Sequence, residues 1–441
     1  MSGYHAGFAS IDITPPLGTP IGGNFRGDYA SRGVHMPLQA NAMVVHHGET
    51  AAALISADLL VVTEAMAADI RGEVEQLTNI PCAHVMVAAT HTHSGPATLE
   101  LVEGSRASND VIAELSRRIA SAAAEANNNL KRAQLTIARF DEPRLSFNRR
   151  LRMKDGSTRM NWESLNLDDI DGPLGPTDPQ GFALTARHDG RIAGMLVNFA
   201  LHPAVLAGDN WDFSPDWPGY LREALHRYAG SRAPIVYVNG AQGNINHLDA
   251  WDPRQGRGVK EAQRIGYVLA NDVASALAAE SELDGPLRIA SDLVMLHKRR
   301  VAPEAVSAAQ TRLAARGARA VAGQEDGIPE WYFDRELVEH AARQNEKVVA
   351  ETQVIRIGEA VLAGLPGEFF TEFGLQLKQE SPARFTLPVG LANGALGYIP
   401  TPEAIVQGGY EAQTWRYNQF EPDSGEHIVR STLNLARSIY S

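Results

Sequence analysis

The chain has a single cysteine, Cys82, in 441 residues. That excludes an intramolecular disulfide and any cysteine-rich zinc site, so a bound metal has to be held by His, Asp, Glu or Tyr. It also fits a reducing compartment. Long apolar runs are missing: none approaches the roughly 20 residues needed to span a bilayer. The opening MSGYHAGFASIDITPP lacks the basic stretch and apolar core of a secretion signal. The expectation is a cytoplasmic protein without stable membrane association. There is no basic excess either. A net charge of −12 runs against a nucleic-acid footprint or attraction to an anionic membrane, and favours a small-molecule partner. No sequence repeat, low-complexity tract or Pro/Gly/Ser linker divides the chain. Nothing in it specifies an oligomeric state.

The 44% apolar content is ample for one large buried core, and residues 1–441 read as a single catalytic domain. Short β-rich runs at 51–55, 84–89, 192–199 and 235–239 alternate with amphipathic helical patterns at 64–77, 110–126, 219–228, 261–278 and 427–440. This alternation predicts an α/β fold with a mixed, mostly parallel central sheet flanked by helices. Runs 352–357 and 360–365, separated by Gly358-Glu359, have the form of a β-hairpin. Pro366-Gly367 ends the second run, and Glu368-Phe369-Phe370 is expected to open a helix. The charge-rich stretch 303–349, with Trp331-Tyr332-Phe333, reads as a helical insert or lid.

Three candidate ligands follow predicted strands. Run 84–89 leads into THTHSGP at 90–96, run 192–199 into Ala200-Leu201-His202-Pro203, and run 360–365 into Gly367-Glu368. Residues two apart on an extended backbone share a side, which would let His91 and His93 converge. An α/β sheet builds its site beyond the C-terminal ends of its strands. A His/His/carboxylate set there is a chemically sensible zinc shell that leaves a position open for water or substrate.

Taken together, THTHSGP at 90–96, NFALHP at 198–203, SPDWPG at 214–219, GAQGN at 240–244 and LPGEFF at 365–370 resemble the catalytic domain of neutral (alkaline, non-lysosomal) ceramidases and their bacterial relatives. DITPP at 12–16 and GVHMPLQANAMVV at 33–45 resemble that family's opening strands. The resemblance implies zinc held by His91, His202, Glu368 and Tyr398, with His93 as a helper rather than a ligand. It also implies that Tyr410, twelve residues beyond Tyr398, binds the reacting carbonyl, and that Arg149 of Asn148-Arg149-Arg150 contributes to the site.

The chain departs from the family where ceramidases carry a nucleophilic serine. Here the sequence runs Gly243-Asn244-Ile245-Asn246-His247-Leu248-Asp249; one alignment puts Asp249 at the serine position and another puts Asn246 there. Zinc-bound water is then the expected nucleophile, with Asp249, His247 or His93 as the general base. The chain also ends at Ser441 without room for the extra β-sandwich domain of larger ceramidases, so ceramide is not the expected substrate. The expected function is a zinc-dependent amidohydrolase cleaving the C–N bond of a soluble N-acyl or small carbonyl compound. Alternatives are an ester or lactone hydrolase on the same site, or an inactive metal- or ligand-binding homologue. A TIM-barrel amidohydrolase would also open with His-x-His, but it calls for a late aspartate where this chain has Glu368 and Tyr398. Trp211 to Trp217 reads as a loop entering a helix, capped by Ser214 or Asp216.

Overall fold

Asp189 and Gly190 both adopt positive φ, 49° and 78°, as a two-residue turn between twisted antiparallel strands demands. They join strands Gln180–His188 and Arg191–Phe199. Two other two-residue turns use a single positive-φ glycine each. Gly48, at φ 62°, helps turn strand Gln39–His47 into Thr50–Ala57, and Gly358, at φ 60°, helps turn Lys347–Ile357 into Ala360–Leu365. The computed structural model describes residues 3–25, 29–101, 105–206, 208–252, 255–316 and 328–440, and each hairpin forms the middle of one of its three main sheets.

On one side of each hairpin lies an antiparallel strand that precedes it in the chain: His5–Asp12, Gln134–Asp141 and Leu287–His297. On the other side lies a strand reached through a helix and paired in parallel: Val85–Ala89, Ile235–Asn239 and Phe385–Gly390. The crossover helices are Glu64–Thr78, Trp217–Ala229 and Thr371–Glu380. A further helix follows each fourth strand: Asn109–Asn128, Val259–Ala276 and Ser424–Ser438. The order βββαβα is thus repeated three times in a chain without an evident sequence repeat. These sheets are antiparallel with one parallel pair each, which corrects the expectation of a mostly parallel sheet. A strand followed by a helix looks the same in sequence whether its other neighbour is a hairpin partner or a parallel strand. The discriminating signals were the turn dipeptides Gly48-Glu49 and Asp189-Gly190. A second correction concerns Glu368-Phe369, which form a short strand; the helix opens at Thr371.

The packing follows from alternation along each strand. In Thr50–Ala57, Leu54 joins a core shared by all three sheets, with Phe8, Leu184, Leu196, Ile355 and Leu387, whereas Ala53 and Ile55 face outward against Ile70 and Ile119 of the covering helices. The second sheet is covered through Leu221 and Leu269, and the third through Phe373 and Ile428. Each sheet therefore has one face on the shared core and the other under two helices.

This topology also separates the two ends of every sheet. The tight hairpins lie at one end. The exits of the first, third and fourth strands lie at the other, together with the long connections 13–38, 142–179 and 298–346. The third connection holds helices Pro303–Arg316 and Glu330–Arg343, the predicted insert, of which 317–327 lie outside the described residues. No helix among the described residues is long and apolar enough to cross a membrane. Asp58, at the exit of Thr50–Ala57, ties the first unit to the second. Its fully buried carboxylate takes two bonds from Arg222, at 3.1 and 2.6 Å, and another from the Gln39 N–H at 2.8 Å. Arg222→Leu strands that carboxylate and should cost about 3–5 kcal/mol in urea unfolding; a loss below about 1 kcal/mol is what a solvent-exposed pair would give.

Candidate metal centre and active site

Two residues past strand Val85–Ala89 the chain turns sharply. His91 has φ 72°, a left-handed conformation that costs an L-residue about 1–2 kcal/mol. Backbone contacts hold it there: its N–H donates to the Leu59 carbonyl at 2.9 Å, and its Nδ1 lies 2.7 Å from the Leu60 carbonyl. His91 and His93 do converge, their Nε2 atoms 3.4 Å apart. They do so around this turn and not along the extended backbone that the spacing suggested. His202, three residues past Arg191–Phe199, presents Nδ1 to the Gln242 carbonyl at 3.3 Å and Nε2 to His91 Nε2 at 3.1 Å. A carbonyl only accepts, so each ring donates from Nδ1, which in a neutral imidazole leaves the Nε2 lone pair free. Burial, with Arg149 and the neighbouring histidines, holds His202 well below the usual imidazole range.

Glu368 completes the cluster from the third sheet. Its Oε2 lies 3.2 Å from His91 Nε2 and 3.6 Å from His202 Nε2 and has no hydrogen-bond donor among the described residues. The short strand Glu368–Phe369 pairs in parallel with Tyr398–Ile399, Glu368 directly opposite Tyr398. That ladder brings two predicted ligands together across thirty positions of sequence. Facing imidazole lone pairs and an orphaned buried carboxylate oxygen form a donor set suited to a divalent cation, so the residues fit the expected metal. His91, His93 and His202 can all reach one ion, which gives His93 the same reach as the two histidines predicted as ligands.

The segment GAQGN does not supply a ligand side chain among the described residues; it braces Glu368. The Gly243 N–H donates to the Phe369 carbonyl at 2.8 Å, and Asn244 Oδ1 accepts from the Thr371 N–H at 2.8 Å. A Cβ on Gly243 would lie 2.3 Å from the Glu368 carbonyl oxygen, so only glycine allows this approach.

Arg149 is buried, its Nε 2.7 Å from Glu411 and its Nη2 2.8 Å from the Gly243 carbonyl. Burial opposes its charge, but the oxygens of Tyr398, Glu411 and Glu368 outweigh that, and its pKa is pushed up. Burial chiefly, then Glu368, drives Tyr398 well above the usual phenol range; burial also raises Tyr410. The Tyr398 and Tyr410 rings lie 5.7 Å apart on the wall of a cavity of about 240 Å³. His91, His93, His202, Glu368 and Arg149 line the same cavity, as do His247 and Asn246. Asp249 does not line it; its carboxylate accepts from the Trp251 N–H at 2.9 Å within a turn. Of the two serine alignments, the cavity therefore favours Asn246, whose amide is locked in reciprocal 2.8 Å bonds with Asn161.

Sequence reasoning missed Glu411, Trp162 and Tyr417. Glu411 is fully buried and bridges Arg149 and Arg150, which fixes the turn carrying Tyr410. Trp162 packs edge-on to Tyr410 with ring centroids 5.6 Å apart, and Tyr417 packs against Tyr398 at 5.5 Å. In SPDWPG, Asp216 caps the Trp217 N–H at 2.6 Å and Trp217 is fully buried; neither Trp211 nor Trp217 lines the cavity.

A family model described as neutral/alkaline non-lysosomal ceramidase, N-terminal, matches residues 4–234. The chain belongs to that ceramidase family. A neutral ceramidase of Pseudomonas aeruginosa is 24% identical over 94% of this chain and 69% of its own length. The fold resembles that of a ceramidase complexed with C2, with TM-score 0.76 and 17% identity over all of this chain and 76% of that one. It also resembles the crystal structure of the neutral ceramidase from Pseudomonas aeruginosa, with TM-score 0.74 and 20% identity over all of this chain and 75% of that one. For this ceramidase-family chain, Gly243→Ala should push Glu368 aside and weaken metal binding by about 10–100-fold. Competition with a chromophoric chelator would measure that, and unchanged affinity would take Glu368 out of the metal shell.

Proposed function

We propose that this chain is a zinc-dependent hydrolase that cleaves the C–N bond of a small N-acyl compound with water as the nucleophile. The observation that carries the reading is the convergence of His91 Nε2, His202 Nε2 and Glu368 Oε2, each 3.1 to 3.6 Å from the next, on the wall of the cavity. His91, His202, Glu368 and Tyr398 would hold the ion, with His93 in reach of it. Bound there, zinc supplies Lewis acidity toward a carbonyl and makes water a usable nucleophile near neutral pH. No step is assigned to a serine, because Asn246 faces the cavity where relatives are expected to carry one.

The chain's own groups account for the rest. The Tyr410 hydroxyl donates to the carbonyl oxygen as charge develops on it, the usual work of a preorganised donor. Arg149, paired with a Glu411 that it shares with Arg150, keeps Tyr398 and Tyr410 in place and adds positive potential behind that oxygen. His93, half-buried and open to the cavity, takes the proton from the attacking water and returns it to the departing nitrogen. A cavity of about 240 Å³ falls just below the roughly 300–1,000 Å³ of drug-sized ligand sites, which supports a compact substrate.

Hydrolysis of short N-acyl amides should vanish on chelation, return with zinc, and be lost in His91→Ala. Tyr410→Phe should lower kcat by about 10²–10³-fold with little change in KM. Activity that survives removal of all bound metal overturns the reading, as does an acyl-enzyme trapped during turnover.

A further inference from the structure

We propose that the substrate carries a carboxylate on its amine portion, as an N-acyl amino acid does, and that His247 and Arg257 recognise it. This rests on the amide-hydrolase reading and names the substrate class for that site. Three observations about the cavity carry it.

His247 is 3% exposed and lines the cavity, yet among the described residues neither of its ring nitrogens has a partner in good hydrogen-bond geometry, beyond an interaction with the Gly256 backbone. A buried polar group without a well-placed partner is costly, and a bound ligand removes that cost. Arg257, ten residues along the same loop, also lines the cavity and is exposed, with no ion-pair partner among the described residues. Glu261, the carboxylate that acts on His247, is committed to Arg264 through bonds of 2.9 and 2.6 Å.

The charge balance points the same way. Glu368 is the only carboxylate on the described cavity lining, and it belongs to the metal cluster. Behind the wall, Glu411 serves both Arg149 and Arg150 and leaves one positive charge over. In a chain with net charge −12, this cavity is locally cationic, as a pocket for an anion should be.

Another part of the lining is apolar. Tyr332 packs edge-on to Phe25 at 5.5 Å and to Trp415 at 6.0 Å, and its hydroxyl donates to the Leu101 carbonyl. Leu99 and Ile328 extend that surface. An acyl chain lies against it, which leaves the amine-derived portion for the His247 and Arg257 wall. There a neutral imidazole N–H and a guanidinium give a carboxylate two donors, the second charge-assisted.

The test compares N-hexanoylglycine with its neutral counterpart N-hexanoylethanolamine, by steady-state hydrolysis and by titration calorimetry on the zinc-loaded protein. The glycine conjugate should be preferred by about tenfold or more in kcat/KM. Arg257→Ala, a surface change, should bring that ratio to about unity by raising KM for N-hexanoylglycine, and Arg257→Glu should invert it. His247→Asn should weaken N-hexanoylglycine in KM more than in kcat, which a proton-transfer role would not do. Equal or faster turnover of the ethanolamide, with no effect of Arg257, overturns this inference and leaves the amide-hydrolase reading intact. Arg257-dependent binding of N-hexanoylglycine without hydrolysis of either compound overturns that reading and upholds the carboxylate subsite.

Discussion

Two imidazole lone pairs and a carboxylate oxygen repel one another, yet His91, His202 and Glu368, all buried side chains, hold theirs within 3.6 Å. Gathering them costs energy, because repulsion is weakly screened among buried groups. The surrounding structure is arranged to sustain it. Leu60 and Gln242 lock the protons on the far side of each ring, the left-handed turn at His91 is clamped by Leu59, and the ladder to Tyr398 fixes Glu368. Even Asp58 and Arg222, outside the cavity, secure the strand exit that bears Leu59 and Leu60.

Much of this was written in local sequence. His91, His202 and Glu368 each stand two or three residues past a strand whose apolar run is plain, so their gathering at one end follows from topology. Other parts had no local mark. Glu411 is one glutamate among many until Arg149 and Arg150 arrive from 260 positions away to enclose it. Glu368-Phe369 looked helical because the apolar residues continue into Thr371–Glu380; pairing with Tyr398, a tertiary event, makes them a strand instead. Sheet direction was misjudged for a related reason: periodicity reports a strand's faces and is silent about its neighbour's direction. Asn246 and Asp249 could not be ranked without the short pairing of Ile245–Asn246 with Phe147–Asn148, which turns the first toward the cavity.

The long connections show how chemistry was added to a regular frame. Each leaves its sheet at the same end, and each lends side chains to the cavity: Phe25 from the first, Arg149 and Trp162 from the second, Tyr332 from the third. The stretch read from sequence as a helical insert or lid thus lends Ile328 and Tyr332 to the cavity lining. Buried Glu336 holds it through two bonds of 2.7 Å from Arg416, and Arg416 also donates to the Glu100 carbonyl. Frame and cavity can thus vary separately, since the shared core involves none of these loops.

The threefold βββαβα order has a thermodynamic consequence. His91 comes from the first unit, His202 from the second, and Glu368 with Tyr398 from the third, so no unit alone, nor any two, presents the full donor set. A cation that binds only the complete set is linked to the docking of all three units, and its concentration sets how firmly they are joined. Loosening any one sheet would weaken the hold on such a cation.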